Sequence, residues 1–207
     1  MIDLQTLLLV LPVLLASLTL HELAHGVTAT ILGDPTPREQ GRLTLNPLPH
    51  LDPLGTLLLV VTLIASPFAF GWAKPVQVQP RYFRRAREGM AIVAVAGPAT
   101  NFVLALACLA PIRFLRVTGE AYDVLAAAFV VNVVLGVFNL IPIPPLDGSR
   151  VVGVLMSRST YNRWLRLDQY GFIFLFALIF LGREQFREVF DRTLDLIAGI
   201  MGLQVTT

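Results

Sequence analysis

His21-Glu22-Leu23-Ala24-His25 lies in a run from Leu4 to Leu32 that holds no other histidine and no other charged residue. On a helix, residues i and i+4 share a face, so both imidazoles can meet one metal ion. Zinc prefers such nitrogen ligands, at about 2.0–2.1 Å, and its catalytic sites keep one position open. Water held there has its pKa lowered to about 7. Glu22, beside the first histidine, can take that water's proton. The pentapeptide arises by chance in soluble helices, but an ionisable group inside an apolar span is expensive without a partner. Three within one turn call for a common explanation, which one Zn2+ ion supplies. An unmetallated buried polar cluster is the alternative.

Two histidines and a water leave one ligand to find. Asp147 is the best candidate, in Asn139-Leu140-Ile141-Pro142-Ile143-Pro144-Pro145-Leu146-Asp147-Gly148. Asp is also a common helix cap, and a short helix is expected from Leu146 to Met156. A zinc pair that lacks a carboxylate favours the ligand role. Gly148 would let backbone approach the site closely.

The elements that must position these residues are apolar. The chain has 207 residues, 55% hydrophobic and 14% charged, against about a quarter charged in a soluble domain. Mean hydropathy is +0.69. No Asp, Glu, Lys or Arg occurs between Asp52 and Lys74, Glu88 and Arg113, Asp123 and Asp147, or Asp168 and Arg183. Several gaps approach or exceed the roughly 20 apolar residues that cross a bilayer. The expected fold is an all-α polytopic membrane protein, in a single domain over 1–207, with no room for a soluble one. Its core is expected over 4–156. A short apolar segment and an interfacial helix are expected over 170–204.

Spans are expected at Leu4–Leu32, Gly89–Ile112 and Tyr122–Leu140. Gly41–Asn46 alternates polar and apolar residues and reads as a strand or as a simple connection. Leu54–Phe70 is short and interrupted by Pro67, and it either spans or dips in and returns. The prolines from Pro142 to Pro145 break the helix at membrane depth, where irregular backbone is tolerated only if buried or lining a cavity. The net charge of +2 resides in loops between spans, as the positive-inside bias predicts, so no nucleic-acid face forms. The basic loops Gly71–Glu88 and Asp147–Asp168 are expected in the cytoplasm. Met1 is then inside if Leu54–Phe70 crosses and outside if it re-enters. Met1 is followed by no basic start or cleavage site, which argues against a removable signal peptide. Cys108 reads as packing.

The zinc pentapeptide, the distal Asn-x-x-Pro-x-Pro-x-Leu-Asp-Gly and the intervening Gly97-Pro98-Ala99-Thr100-Asn101 resemble, in that order, the site-2 protease family of intramembrane zinc metalloproteases. The resemblance covers about Leu4 to Met156. It implies that His21, His25 and Asp147 bind zinc and that Glu22 is the general base. It also implies that Asn139 lies beside the metal, where its amide could stabilise an oxyanion; the alternative is an Asn that satisfies freed backbone groups. Gly97 and Asn101 read as structural, through close helix approach and an interhelical hydrogen bond. Gly41–Asn46 resembles the family's membrane-associated β-hairpin, whose edge could hold substrate as an added strand. The insertion from Pro47 to Val76 departs from the simplest family plan and resembles small bacterial members. If the core keeps its usual topology, Leu54–Phe70 re-enters. His50 is then either a gate or accessory ligand, or an interfacial histidine bonded to backbone. No PDZ-like or CBS appendage is expected.

The resemblance implies hydrolysis of a peptide bond in a membrane-spanning or signal-peptide-like substrate, at the cell (inner) membrane. The rivals are a membrane metal-ion transporter and a non-catalytic homologue that binds membrane helices. A transporter needs sequential sites on both sides, whereas the polar groups here concentrate at one place.

Overall fold

A computed structural model describes residues 4–65 and 71–171, together with Glu188, Arg192 and Thr193. Among the described residues, three helices are long and apolar enough to cross a membrane. They are α1 (Leu4–Ile31), α4 (Ala86–Leu115) and α5 (Glu120–Asn139), and even the shortest, with 20 residues, rises about 30 Å. Between and after them lie α2 (Thr36–Glu39), α3 (Pro53–Ala65), α6 (Asp147–Gly153) and α7 (Arg158–Leu165). The expected spans are therefore found, with ends shifted by a few residues.

Helix α4 is the centre of the bundle and packs against α1, α5 and α6. Its lower-polarity half meets α5 through Ala105, Leu109, Phe129, Val133 and Val137, with Phe102 and Cys108 against them. Cys108 is thus a packing residue, as expected. Nearer the start of α4, Val93 meets Ala29 of α1 and Phe83 of the preceding loop.

Contacts between loops gather one end of the bundle. Asp34, fully buried after α1, accepts from the Gln79 amide at 2.6 Å. The Arg87 guanidinium donates to the Met156 carbonyl at 2.5 Å. The Arg42 guanidinium donates to the carbonyls of Pro49 and Lys74. The two expected cytoplasmic loops therefore share a side.

The expected β-hairpin does not form. Among the described residues there is no strand, and Gly41–Asn46 runs through turns and bends. The reason is local competition for backbone donors. Thr44 Oγ1 accepts from the Asn46 amide at 3.1 Å, and Asn46 Oδ1 accepts from the Leu48 amide at 3.1 Å. Those amides are then lost to any ladder. The antiparallel pairing instead falls at an isolated bridge, Leu51 with Ala73, supported by Lys74 N–H donating to the His50 carbonyl at 2.8 Å.

That bridge closes the base of the Leu54–Phe70 stretch. Asp52 caps α3 by accepting from the Gly55 amide at 2.9 Å, with Pro53 at the first helical position. Gly55 has to be glycine, because a Cβ there would lie 2.2 Å from the Trp72 carbonyl oxygen. The 13 residues of α3 rise about 20 Å, short of the roughly 30 Å hydrocarbon core. Residues 66–70, which the re-entrant reading of Leu54–Phe70 includes, lie outside the described residues. The helix expected to Met156 ends at Gly153. The expected C-terminal segments over 170–204 lie mostly outside the described residues.

Candidate metal centre

Unbroken helix at α1 puts His21 and His25 one turn apart, with ring centroids 4.6 Å from each other and the rings edge-on at 88°. Each ring is oriented from α4. His25 Nδ1 lies 2.7 Å from the Val93 carbonyl, which can only accept, so Nδ1 carries the proton. His21 Nδ1 lies 2.6 Å from Asn101 Oδ1 and donates likewise. In its neutral form each ring then turns a bare Nε2 lone pair inward, and the two Nε2 atoms are 3.0 Å apart.

Asp147 completes the group. Its Oδ2 lies 3.2 Å from His21 Nε2 and 3.3 Å from His25 Nε2, buried and without a hydrogen-bond donor. Three acceptors facing one another in a buried place repel unless a cation stands among them. Tetrahedral zinc with bonds of about 2.0–2.2 Å sets its ligand atoms roughly 3.3–3.5 Å apart. The spacing fits. Among the described residues His21, His25 and Asp147 are the group of such side chains able to hold a metal ion.

Glycines make this convergence possible. A Cβ at Gly97 would lie 2.5 Å from His25 Nε2 and 2.6 Å from His21 Nε2, so α4 backbone forms one wall of the metal position. The structure thus gives Gly97 a sharper role than close helix approach. A Cβ at Gly148 would lie 2.1 Å from the Leu140 carbonyl oxygen, so the backbone approach expected at Gly148 lets α6 sit on the proline-broken stretch. Two further contacts hold α6 in place. Arg150 pairs with Asp168 at 2.5 Å, and the Trp164 indole donates to the Ser149 carbonyl at 3.1 Å.

Glu22 is buried beside His21, and one of its oxygens accepts from the Val76 amide at 2.9 Å. The other oxygen is left for a further donor. Asn139 donates to the Leu135 carbonyl at 3.0 Å, which uses one of its two amide protons. His50 is 1% exposed and bonds through Nε2 to the Thr44 carbonyl at 3.1 Å, outside the metal-capable group. Sequence reasoning missed Val76, Val93, Asn132 and Ser17. The first two act through backbone and leave no residue-type signal. Asn132 and Ser17 could have been flagged as polar residues inside apolar spans.

The YwhC protein of Bacillus subtilis, named as a zinc metalloprotease, is 40% identical over 181 residues, covering 81% of this chain and 78% of the relative. The chain belongs to peptidase family M50, the site-2 protease family. The family profile, described as Peptidase family M50, matches residues 116–181, which include α5, the proline break and Asp147. A relative in Mycolicibacterium smegmatis, Rip2, also named as a zinc metalloprotease, is 34% identical over 167 residues, 80% of this chain and 64% of that one. The zinc metalloprotease MJ0392 of Methanocaldococcus jannaschii matches a shorter stretch, 32% identical over 72 residues, covering 35% of this chain and 21% of the relative. No solved structure matches the chain. This M50 chain is thus a membrane protein of a zinc metalloprotease family.

Proposed function

We propose that this chain hydrolyses peptide bonds of membrane-spanning or signal-peptide-like substrates within the bilayer, with zinc held by His21, His25 and Asp147. The observation that carries the reading is the convergence of His21 Nε2, His25 Nε2 and the unpartnered Asp147 Oδ2 against a set of apolar helices. Zinc supplies Lewis acidity that polarises a carbonyl and acidifies water. Glu22 acts as general base. The Val76 amide fixes one of its oxygens, and the free one takes the proton as water oxygen attacks the scissile carbonyl carbon. Glu22 returns that proton to the leaving amine nitrogen as the C–N bond breaks. Asn139, with one amide proton uncommitted, donates to the developing oxyanion. His50, held by backbone, shapes the loop beside this site.

The substrate must present an extended segment, because a helix hides its peptide bonds in its own ladder. For placement, the basic loops gathered at one end lie in the cytoplasm, with the protein multi-pass in the cell membrane. Helix α1 ends at that side, so its start lies outside. The bridge between Leu51 and Ala73 supports a segment around α3 that enters and returns on one side.

Glu22→Gln keeps the shape and the acceptor for Val76 but removes the base. Cleavage of a membrane-anchored reporter should fall by at least about a thousandfold, against the roughly 10²–10⁴-fold that such proton transfer contributes. Zinc content, measured by elemental analysis, should stay at one per chain. Cleavage unchanged in Glu22→Gln sinks this reading. Zinc flux without cleavage in the parent protein would instead make it a transporter.

A further inference from the structure

Asn132 of α5 and Ser17 of α1, 2% and 4% exposed, are polar residues of the bundle interior whose bonds reach none of His21, His25 and Asp147. Asn132 Nδ2 lies 2.8 Å from the Ala128 carbonyl and 2.9 Å from Ser17 Oγ. A backbone carbonyl can only accept, so the nitrogen of Asn132 must face α1 and its own turn, and its Oδ1 must face α4. There it accepts from Asn101 Nδ2 at 2.9 Å. Asn101 is fully buried, and its amide is thereby oriented with Oδ1 toward His21. That oxygen fixes the proton on His21 Nδ1 and leaves Nε2 for the metal. Reversing any link would set donor against donor or acceptor against acceptor in a place water does not reach.

The two histidines show why the chain of bonds runs so far. His25 is oriented by the Val93 carbonyl, which cannot be turned round. Asn101 could offer His21 either its oxygen or its nitrogen, and only a further residue can decide which. We propose that Asn132 is a positioning residue of the metal centre. Through Asn101 it sets the ring nitrogen that His21 presents to zinc, with Ala128 as the fixed end of the relay and Ser17 as its support. This rests on zinc being held by His21.

Zinc affinity of the full chain in detergent, read by competition with a chelator, tests it, with the unfolding temperature of the zinc-free protein measured alongside. Asn132→Ala and the near-isosteric Asn132→Leu should each raise the zinc dissociation constant by about 10–100-fold, the usual cost of a lost outer partner. Asn132→Asp, whose protonated carboxyl can donate to Ala128 and accept from Asn101, should restore most of it. In an Asn101→Leu background, Asn132→Ala should cost nothing further, because one relay has already been cut. Additive losses would mean that Asn132 acts only through stability, and the proposal falls. It falls equally if zinc affinity is unchanged, or if neither variant folds, while the zinc reading survives. A parent protein that binds no zinc overturns both.

Discussion

His21 and His25 stand one turn apart on an unbroken helix of 28 residues, whereas Asp147 opens a helix of seven that follows Pro142, Pro144 and Pro145. Local geometry alone brings the first two candidate ligands together. The third candidate arrives by tertiary assembly, and several contacts far from the proposed metal position must hold before its carboxylate is in place. The histidine half is thus preorganised by one helix and the face of another. The aspartate half depends on a short helix pinned from behind. Damage should differ accordingly: abrupt on the histidine side and graded on the aspartate side.

Gly97→Ala should do the most harm. Its methyl would stand 2.5 Å from His25 Nε2, on the wall of the metal position, and unbroken helix on both sides leaves little room to shift. Zinc affinity should fall by more than the roughly 100-fold upper end expected for losing an outer partner, with the zinc-free fold retained. Chelator competition reads the first and helical circular dichroism the second. Gly148→Ala comes next. Its methyl would lie 2.1 Å from the Leu140 carbonyl, and α6 must move to relieve it. A seven-residue helix can tilt, so a loss of about 10–100-fold is expected. Near-parental zinc binding in Gly97→Ala would refute the preorganised histidine half.

Much of this was legible in the sequence, for identifiable reasons. Charge-free gaps betray apolar spans because a charge in lipid is costly, and α4 and α5 follow two of those gaps, while α1 follows the apolar run that only His21, Glu22 and His25 interrupt. The spacing of His21 and His25 is itself the geometry. Asp147 was legible by chemistry rather than position, since a zinc pair lacks a carboxylate. The strand at Gly41–Asn46 misled because alternation describes side chains, whereas a ladder needs free amides, and Thr44 and Asn46 had already claimed two. The Val76 amide on Glu22 joins residues 54 apart, and Val93 on His25 joins residues 68 apart. Any residue type other than proline offers the amide, and every residue offers the carbonyl. Residue identity therefore carries no trace of either.

The aspartate half can be loosened most gently through Asp168. Its carboxylate meets Arg150 on α6 at 2.5 Å, with the two side chains 34% and 18% exposed. A partly buried pair of this kind contributes about 1 kcal/mol, and Asn at 168 would still offer Arg150 an oxygen. Asp168→Asn should therefore weaken zinc by about tenfold at most, near the small end for an outer partner. Salt separates this from a packing effect. The Debye length shortens from about 30 Å at 0.01 M to about 3 Å at 1 M, so the gap between Asp168→Asn and the parent should narrow as salt rises. The gap caused by Gly148→Ala, which is steric, should stay where it is. A salt-independent loss in Asp168→Asn would mean that the carboxylate holds α6 by shape rather than charge, and the graded picture of the aspartate half would then have to rest on Trp164 and Gly148 alone.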